Sequence, residues 1–226
     1  MTAWTKHGSI VLNSLKKRGV GKTILSVAGE YWFDLRFRVN TSAYLLDADF
    51  SLAGPHRAAA APHYGTNWFI LKKVFRNLAR GKSRPLVGEH LVDFGCGSGR
   101  ALMTALHFGV GRVTGVEFSQ VLCARATVNL SRFAGRDHRF ESAWSVVHAD
   151  ASCWAIPAGT SLFFLYNPFG PPVIEAVADN ILQHARASGS GVTVVYVNPV
   201  HAAVFAQRGF RQGANSNAEV HFYTSP

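Results

Sequence analysis

The sequence has few residues that could hold a domain together through cross-links or a metal ion. Its three cysteines, Cys96, Cys123 and Cys153, lie far apart, and no Cys-x-x-Cys pair occurs. The ten histidines never show the His-x-x-x-His spacing of a helical metal site. An odd cysteine count without paired motifs favours neither a disulfide framework nor a zinc site, so we expect no metal.

Long hydrophobic runs are also missing. No apolar stretch approaches the roughly 20 residues that a membrane-spanning helix needs. The beginning of the chain is interrupted by Lys6, His7 and Asn13, and therefore lacks the apolar core of a signal peptide. These absences predict a cytoplasmic protein without a membrane partner.

Acidic residues are scarce. The chain has 13 acidic side chains against 23 lysines and arginines, which gives a net charge of +10. Such a charge favours anionic partners, but the basic residues are dispersed along the sequence, and a basic proteome would give the same balance. Both interpretations stay open. With 226 residues, of which 48% are hydrophobic, the chain can bury the core of one α/β domain and an appendage.

The most informative stretch combines a strand, a turn and a helix. A short apolar strand, Leu91–Phe94, is followed by a glycine turn and by a helix from Arg100 to about residue 108. The turn contains Gly95, Gly97 and Gly99. Glycine allows the chain to reverse within a few residues and lets a ligand approach the backbone, while the helix offers unpaired N–H groups to that ligand. This arrangement predicts the start of a nucleotide-binding βαβ unit.

The spacing of the glycines narrows the choice of ligand. A dinucleotide site has the pattern Gly-x-Gly-x-x-Gly, whereas this chain has Gly-x-Gly-x-Gly with Asp93 two residues before the first glycine. A carboxylate so close to a pyrophosphate would repel it, but a cofactor that carries an ammonium and a sulfonium group tolerates it well. The spacing therefore disfavours a nicotinamide oxidoreductase.

After this unit, strands and helices alternate, which predicts a doubly wound α/β sheet. The acid Glu117 ends the second predicted strand, 24 residues after Asp93, and parallel pairing would place it at the carboxyl edge of the sheet. The predicted elements beyond the first helix are strand Gly111–Glu117, helix Gln120–Arg132, strand Ser145–Asp150, a buried strand from Ser161 that ends in Asn167-Pro168-Phe169, a helix from Pro171 to about Ala187, strand Gly191–Val197, a short helix, a hairpin tip at residues 215–217 and strand Glu219–Tyr223.

Before the strand that precedes the glycine turn, the chain is predicted to contain helices and a loop. Helical spacing predicts helices over Ser9–Lys17, Thr23–Phe37 and Asn67–Arg80, and Ala48–Pro62 is a loop rich in alanine, glycine and proline. We interpret residues 1–62 as an N-terminal helical cap and residues 63–226 as the main domain. The cap either covers one edge of the sheet or forms a wall of a substrate pocket.

The Asp-x-Gly-x-Gly-x-Gly pattern from Asp93 to Gly99 resembles motif I of the class I S-adenosylmethionine-dependent methyltransferases. More narrowly, the chain is similar to a widespread group of bacterial methyltransferases that has no settled substrate. The similarity to the class I methyltransferase domain covers about residues 64–223, and it implies a Rossmann-like, mostly parallel seven-stranded sheet with an antiparallel last strand. The narrower similarity to the bacterial group rests on the segments Phe33-Asp-Leu-Arg36, Val39-Asn-Thr-Ser42, Val92-Asp-Phe-Gly95, Gly115-Val-Glu-Phe-Ser119, Phe164-Leu-Tyr-Asn-Pro-Phe169 and Tyr196-Val-Asn-Pro199.

The resemblance implies S-adenosylmethionine as the cofactor and assigns residues to its parts. The ribose hydroxyls would be held by Glu117. The adenine would be held by Asp150 with Phe118, although an acid after a strand is also an ordinary turn residue. The remaining cofactor-binding residues that it implies are Asp93, Gly95, Gly97 and Gly99 for the methionine part, Tyr64 and Thr66 in a segment that closes over the methionine carboxylate, and Ala151 and Asn167.

The segment Asn167-Pro168-Phe169 is similar to the Asn/Asp-Pro-Pro-Tyr/Phe motif of amino-group methyltransferases. There, the asparagine side chain and a backbone carbonyl accept hydrogen bonds from the target nitrogen, and the aromatic ring stacks on a planar substrate. This chain has a single proline, and Gly170 occupies the aromatic position unless Phe169 takes that role. The resemblance implies that Asn167, Pro168 and Phe169 are the catalytic residues.

These observations predict direct in-line methyl transfer to an unidentified acceptor, with nitrogen as the favoured acceptor atom. The acceptor could be a small molecule, RNA or a protein side chain. The alternative is a protein that binds S-adenosylmethionine without catalysis and acts as a regulator or assembly partner.

Overall fold

A computed structural model of the chain describes residues 20–42, 67–81 and 85–226, with side chains described from residue 28 onwards within the first range. The predicted helix Ser9–Lys17, the predicted loop Ala48–Pro62 and the predicted domain boundary after residue 62 lie outside the described residues.

Helices and strands alternate through most of the described chain, as the sequence pattern predicts. A 3₁₀ turn at Leu86–Gly88 leads into the first strand, and a second one lies at His138–Phe140. The elements in chain order are α1 (Val20–Phe37), α2 (Trp68–Gly81), β1 (His90–Phe94), α3 (Arg100–His107), β2 (Arg112–Glu117), α4 (Gln120–Ala134), β3 (Trp144–His148), β4 (Thr160–Tyr166), α5 (Pro171–Ser188), β5 (Thr193–Val197), α6 (Ala203–Gln207), β6 (Arg211–Gln212) and β7 (Val220–Thr224).

The seven strands form one sheet in the order β3-β2-β1-β4-β5-β7-β6. All neighbours from β3 to β5 pair in parallel, while β7 runs antiparallel between β5 and β6. The predicted doubly wound, mostly parallel seven-stranded sheet is therefore confirmed, including the antiparallel last strand. The chain first winds outward from β1 to β3 and then crosses back to β4, so β1 and β4 flank the point where the winding direction changes.

Two apolar layers cover the two faces of the sheet, because alternate side chains along each strand point to opposite faces. Leu91 and Phe164 belong to the layer that α1–α4 form with the sheet. Val92 and Phe163 belong to the opposite layer, which α5 and α6 form. Burial on both faces explains why these strands are continuously apolar rather than alternating.

The described part of the predicted N-terminal cap is continuous with the first apolar layer. Phe33 and Phe37 on α1 and Val39 after it are buried in the same cluster as Leu71 and Phe75 of α2. This segment therefore covers a face of the sheet instead of only an edge. The division of the chain at residue 62 stays a prediction.

The predicted end of the third strand is wrong. The third strand ends at His148, two residues before Asp150. The carboxylate of Asp150 accepts hydrogen bonds from the backbone N–H of Ser152 at 2.8 Å and from its hydroxyl at 2.6 Å. These bonds stabilise a turn that ends the strand early.

Within the described ranges, no helix combines the length and the apolar character of a membrane-spanning segment.

The three cysteines are free. Cys96, in the turn after β1, is a buried packing residue. A Cβ atom added to Gly115 would lie 2.5 Å from the Cys96 sulfur and 2.7 Å from Leu102. The glycine on β2 therefore leaves the space that the turn after β1 fills.

We expect Phe33→Ala to lower the free energy of unfolding by about 3–5 kcal/mol, because a fully buried aromatic side chain would leave a cavity. Leu35→Ala is the control, since Leu35 lies on the same helix and is 81% exposed. Its effect should stay within about 0.5 kcal/mol. Urea unfolding of both variants measures the difference, and equal small effects would show that α1 is not part of the core.

Candidate active site

The turn between β1 and α3 is held to the neighbouring strand by backbone hydrogen bonds. Gly95, Gly97 and Gly99 adopt φ angles of 76°, 53° and 85°. The N–H groups of Gly95 and Cys96 both donate to the carbonyl of Val116, at 2.8 and 3.2 Å. These positive φ angles are the physical reason that the turn needs glycine, because side chains are strained in this region.

Glu117 at the end of β2 fixes the middle of the same turn. One carboxylate oxygen accepts the N–H of Gly97 at 3.0 Å, and the other accepts the N–H of Ser119 at 2.9 Å. Burial raises the pKa of Glu117, and backbone hydrogen bonds from Ser119, Gly97 and Phe118 oppose that rise. The carboxylate is thus oriented at the carboxyl edge of the sheet and keeps lone pairs for further donors.

Asp93, the fourth residue of β1, is a second buried carboxylate in this region. Burial, and then the charge of Glu117, raise the pKa of Asp93 well above its usual range. Among the described residues, no cation or hydrogen-bond donor lowers the pKa of Asp93 in return. Two carboxyl groups that destabilise each other as anions form a site that a cationic ligand would stabilise.

The segment after β4 meets the glycine turn. A Cβ atom added to Gly95 would lie 2.6 Å from the Cβ of Pro168 and 3.8 Å from the ring of Phe169. Only a glycine at this position therefore allows the two segments to approach so closely. Residues implied for cofactor binding and residues implied for catalysis are brought together at the point where the sheet changes its winding direction, which is where open α/β sheets bind ligands.

Asn167 precedes this contact and has a strained backbone. Its φ angle is +38°, which few residues other than glycine and asparagine adopt, and Pro168 follows directly. The hydroxyl of Tyr196 on β5 donates a hydrogen bond of 3.2 Å to the side-chain oxygen of Asn167. The same hydroxyl accepts the backbone N–H of His201 at 3.4 Å. The Asn167 side chain is therefore held by a buried tyrosine.

The residues implied for adenine binding lie at the ends of β2 and β3. Phe118 is half-buried, and its carbonyl oxygen lies 2.8 Å from Nε2 of His148. Ala151 is buried, and the Asp150 carboxylate is engaged in the turn with Ser152. Tyr64 and Thr66, which were implied for the methionine carboxylate, lie outside the described residues.

A polar network that sequence analysis missed joins the N-terminal segment to α3. Arg100, the first residue of α3, is only 2% exposed, and its guanidinium donates to the hydroxyls of Thr41 at 2.7 Å and Ser42 at 2.8 Å. Asp34 accepts hydrogen bonds from the backbone N–H groups of Thr41 at 3.0 Å and Ser42 at 2.9 Å, and from the Thr41 hydroxyl. Burial raises the pKa of Glu30, and the charge of Arg100 counters that effect.

Asn129 on α4 makes a second connection to the glycine turn. Its amide nitrogen donates to the carbonyls of Ser98 and Asn40, both at 3.0 Å, and its oxygen accepts the N–H of Asn40 at 2.9 Å. The N-terminal segment and the glycine turn are thereby bridged by one buried side chain. Asp34, Thr41, Ser42 and Tyr196 fall in the segments that carry the family resemblance, which was the only sequence signal for their role.

In the described parts of the chain, no group of three or more histidine, cysteine, aspartate or glutamate side chains is arranged to hold a metal ion.

The fold of the chain is similar to the folds of several solved methyltransferases. A S-adenosylmethionine-dependent methyltransferase from Aquifex aeolicus superposes with a TM-score of 0.51 and 11% identity, over 69% of this chain and 89% of that chain. The mitomycin 7-O-methyltransferase MmcR superposes with a TM-score of 0.50 and 15% identity, over 71% of this chain and 54% of that chain. The methyltransferase domain of bacterial CtHen1-C superposes with a TM-score of 0.50 and 14% identity, over 69% of this chain and 95% of that chain.

No protein-family model matches the chain, and a search of the curated proteins finds no match. At these low identities the structural similarity establishes the fold alone. The chain has the class I S-adenosylmethionine-dependent methyltransferase fold, and the predicted resemblance is confirmed at that level.

The buried carboxylate of Asp93 has a consequence for stability. Its pKa is raised in the folded state, so the folded protein binds more protons than the unfolded chain from about pH 4 up to the raised pKa, and stability falls as the pH rises through that range. We expect Asp93→Asn to make this fall shallower and to raise the free energy of unfolding by about 1–3 kcal/mol at pH 8. Urea unfolding between pH 5 and 8 measures the effect.

Asp137→Asn is the control for this experiment. Asp137, which is partly exposed, pairs with Arg139, and this hydrogen bond lowers the pKa of Asp137 to about 2. The stability that this ionised carboxylate contributes is therefore lost only below the pH range tested. The free energy of unfolding of Asp137→Asn should change with pH as steeply as that of wild type. A pH profile of Asp93→Asn that is parallel to wild type would show that the Asp93 charge is not a source of instability.

Proposed function

We propose that this protein transfers a methyl group from S-adenosylmethionine to an acceptor, with nitrogen as the acceptor atom. The observation that carries the proposal is the contact of Pro168 and Phe169 with Gly95, which joins a glycine turn suited to the cofactor with an Asn-Pro-Phe segment suited to the acceptor. The fold of the chain agrees with this function but does not by itself identify the reaction.

The site fits the proposed cofactor in charge and in shape. Asp93 is a buried carboxylate and Glu117 a half-buried one, and their raised pKa values would fall next to an ammonium or sulfonium group. We assign Asp93 and the glycine turn to the methionine part and Glu117 to the ribose. When bound, S-adenosylmethionine supplies an electrophilic methyl group, so the protein needs to provide proximity, alignment and exclusion of water.

The acceptor would lie beside Asn167. This residue follows β4 at the carboxyl edge of the sheet, and its side-chain oxygen is held by the Tyr196 hydroxyl. We assign Asn167 to orienting the acceptor amine by hydrogen bonds, Tyr196 to positioning Asn167, and Phe169 to packing against a planar substrate. A neutral amine needs no strong general base, which agrees with this set of residues. A regulator that binds the cofactor without transfer would need the glycine turn and Glu117, but not an oriented Asn167.

Cofactor choice is tested by ligand-induced stabilisation. We expect S-adenosylhomocysteine to raise the melting temperature and NAD to leave it unchanged, because only a ligand that binds the folded protein stabilises the folded state. Glu117→Gln should weaken S-adenosylhomocysteine binding by about 1–3 kcal/mol, because the ribose hydroxyls and Gly97 lose a charged acceptor. Isothermal titration calorimetry measures the affinity.

Glu141→Gln is the matched control for Glu117→Gln, since the same change is made at an exposed acid after the second 3₁₀ turn. Its affinity for S-adenosylhomocysteine should equal that of wild type. Stabilisation by NAD alone, or by neither compound, would overturn the assignment of the cofactor.

The role of Asn167 is tested against a second asparagine in the same conformation. Asn198 follows β5, precedes Pro199 and has a φ angle of +50°, but it is exposed. Alanine at either position should cost about 1–2 kcal/mol of stability, because alanine is strained at positive φ. Only Asn167→Ala should lower the rate of methyl transfer, by about 100-fold or more, while cofactor affinity changes little.

The rate is measured as incorporation of labelled methyl groups into fractionated cell extract and then, on the fraction that takes the label, as a single-turnover rate. Equal rates for the two alanine variants would remove Asn167 from the reaction. Tight cofactor binding without incorporation into any fraction would favour the regulatory alternative.

A further inference from the structure

Helix α2 presents two faces of opposite character. One face is buried in the first apolar layer through Leu71, Val74, Phe75 and Leu78. The other carries four cations, and the helix contains no acidic residue. The basic residues are dispersed along the whole sequence, but α2 gathers these on one side, and we call Lys72, Lys73, Arg76 and Arg80 the α2 cations.

The α2 cations have no partner of opposite charge within the described part of the chain. Neither of the described ion pairs, Arg139 with Asp137 and Arg208 with Asp179, involves them. Successive turns of the helix repeat every 5.4 Å or so, which makes the α2 cations a row rather than a single point of charge. A row of unpaired cations attracts an extended anion.

A groove of about 360 Å³ runs beside this row. Its described lining consists of the α2 cations with Phe69 and Asn77, so every charged group in that lining is positive. The groove shares no residue with the candidate active site. It is therefore a separate feature of the surface, and its chemistry has to be explained independently.

One exposed aromatic side chain, Phe69, lines the groove together with the cations, and the neighbouring helix α1 exposes two more. Phe69 at the start of α2 is 49% exposed, and its ring lies against Gly29 of α1. On α1, Tyr31 is 58% exposed, and Trp32 is half-exposed with its ring 5.6 Å from that of Trp68. An exposed ring beside a row of cations is the combination that binds single-stranded nucleic acid, since phosphates pair with the cations and a base stacks on the ring.

We propose that the groove along α2 binds a single strand of nucleic acid. An anionic membrane is the less suitable partner, because a helix that lies in a membrane interface turns its apolar face outward. The apolar face of α2 is already buried in the core. The proposal does not depend on methyl transfer, because none of its residues belongs to the candidate active site.

The test is fluorescence anisotropy with labelled 12-residue oligo(U) RNA and oligo(dT) DNA, titrated with the 226-residue chain at several salt concentrations. If four cations contact phosphates, log K should fall with log salt with a slope of about −3. Lys73→Ala combined with Arg76→Ala should make the slope shallower by about 1.4 and weaken binding at low salt by about tenfold or more. Both side chains are exposed, so the variant should keep the wild-type melting temperature.

Arg186→Ala combined with Arg211→Ala is the matched control, because it removes the same net charge from exposed positions on α5 and β6. It should bind like wild type. The proposal is supported if either oligonucleotide binds and only the α2 variant weakens that binding. The oligonucleotide with the higher affinity identifies the strand as RNA or DNA.

Three results would overturn the proposal. The first is that neither oligonucleotide binds. The second is that the control variant loses as much affinity as the α2 variant, which would make net charge the cause. The third is that vesicles containing phosphatidylserine retain the protein through the α2 cations while the oligonucleotides do not.

Discussion

Between β1 and α3 the chain reverses within five residues, and three of them, Gly95, Gly97 and Gly99, have positive φ angles. The turn needs glycine at position 95, because a Cβ atom added to Gly95 would lie 2.6 Å from the Cβ of Pro168. The same turn is held on its other side by the carboxylate of Glu117, which accepts the Gly97 N–H. The approach of three strand ends at one point therefore depends on the missing Cβ atoms.

Charges around this turn are segregated. Arg100 begins the helix that follows the turn, but its guanidinium is engaged by Thr41 and Ser42 of the N-terminal segment. Asp93 is buried next to Glu117, and burial, followed by the charge of Glu117, raises its pKa. Burial of unpaired carboxyl groups lowers the stability of the protein without ligand. A cationic cofactor would remove this cost, which links the affinity of the site to the arrangement of charges around it.

The N-terminal segment takes part in both the core and the turn. Phe33 and Phe37 complete the apolar layer over one face of the sheet, while Asn129 joins Asn40 to the carbonyl of Ser98. A loss of packing in α1 would therefore also affect the segment that fixes the glycine turn. For this reason we regard the described part of the cap as a structural support of the site. The groove along α2 lies on the outer side of the same layer, so the two proposed binding functions use different surfaces of one framework.

Much of the fold could be predicted because its signals are local. The strand, glycine turn and helix from Leu91 onwards, the acid at the end of β2 and the continuously apolar β4 are each determined by residues adjacent in the chain. The end of β3 could not be predicted from strand propensity. The Asp150 carboxylate accepts a hydrogen bond from the backbone N–H of Ser152, and the turn that this bond stabilises replaces the last residues of the predicted strand.

The sequence by itself determined the order of strands and helices, the position of the glycine turn and the residues available for cofactor and acceptor. Only the tertiary structure decided that Thr41 and Ser42 hold Arg100, 59 and 58 residues away, and that Tyr196 holds Asn167 across 29 residues. It also decided that the α2 cations line a groove together with the half-exposed ring of Phe69. The physical reason is that periodicity and turn chemistry report backbone conformation within a few residues, whereas hydrogen bonds and packing between distant segments depend on how the layers come together around the sheet.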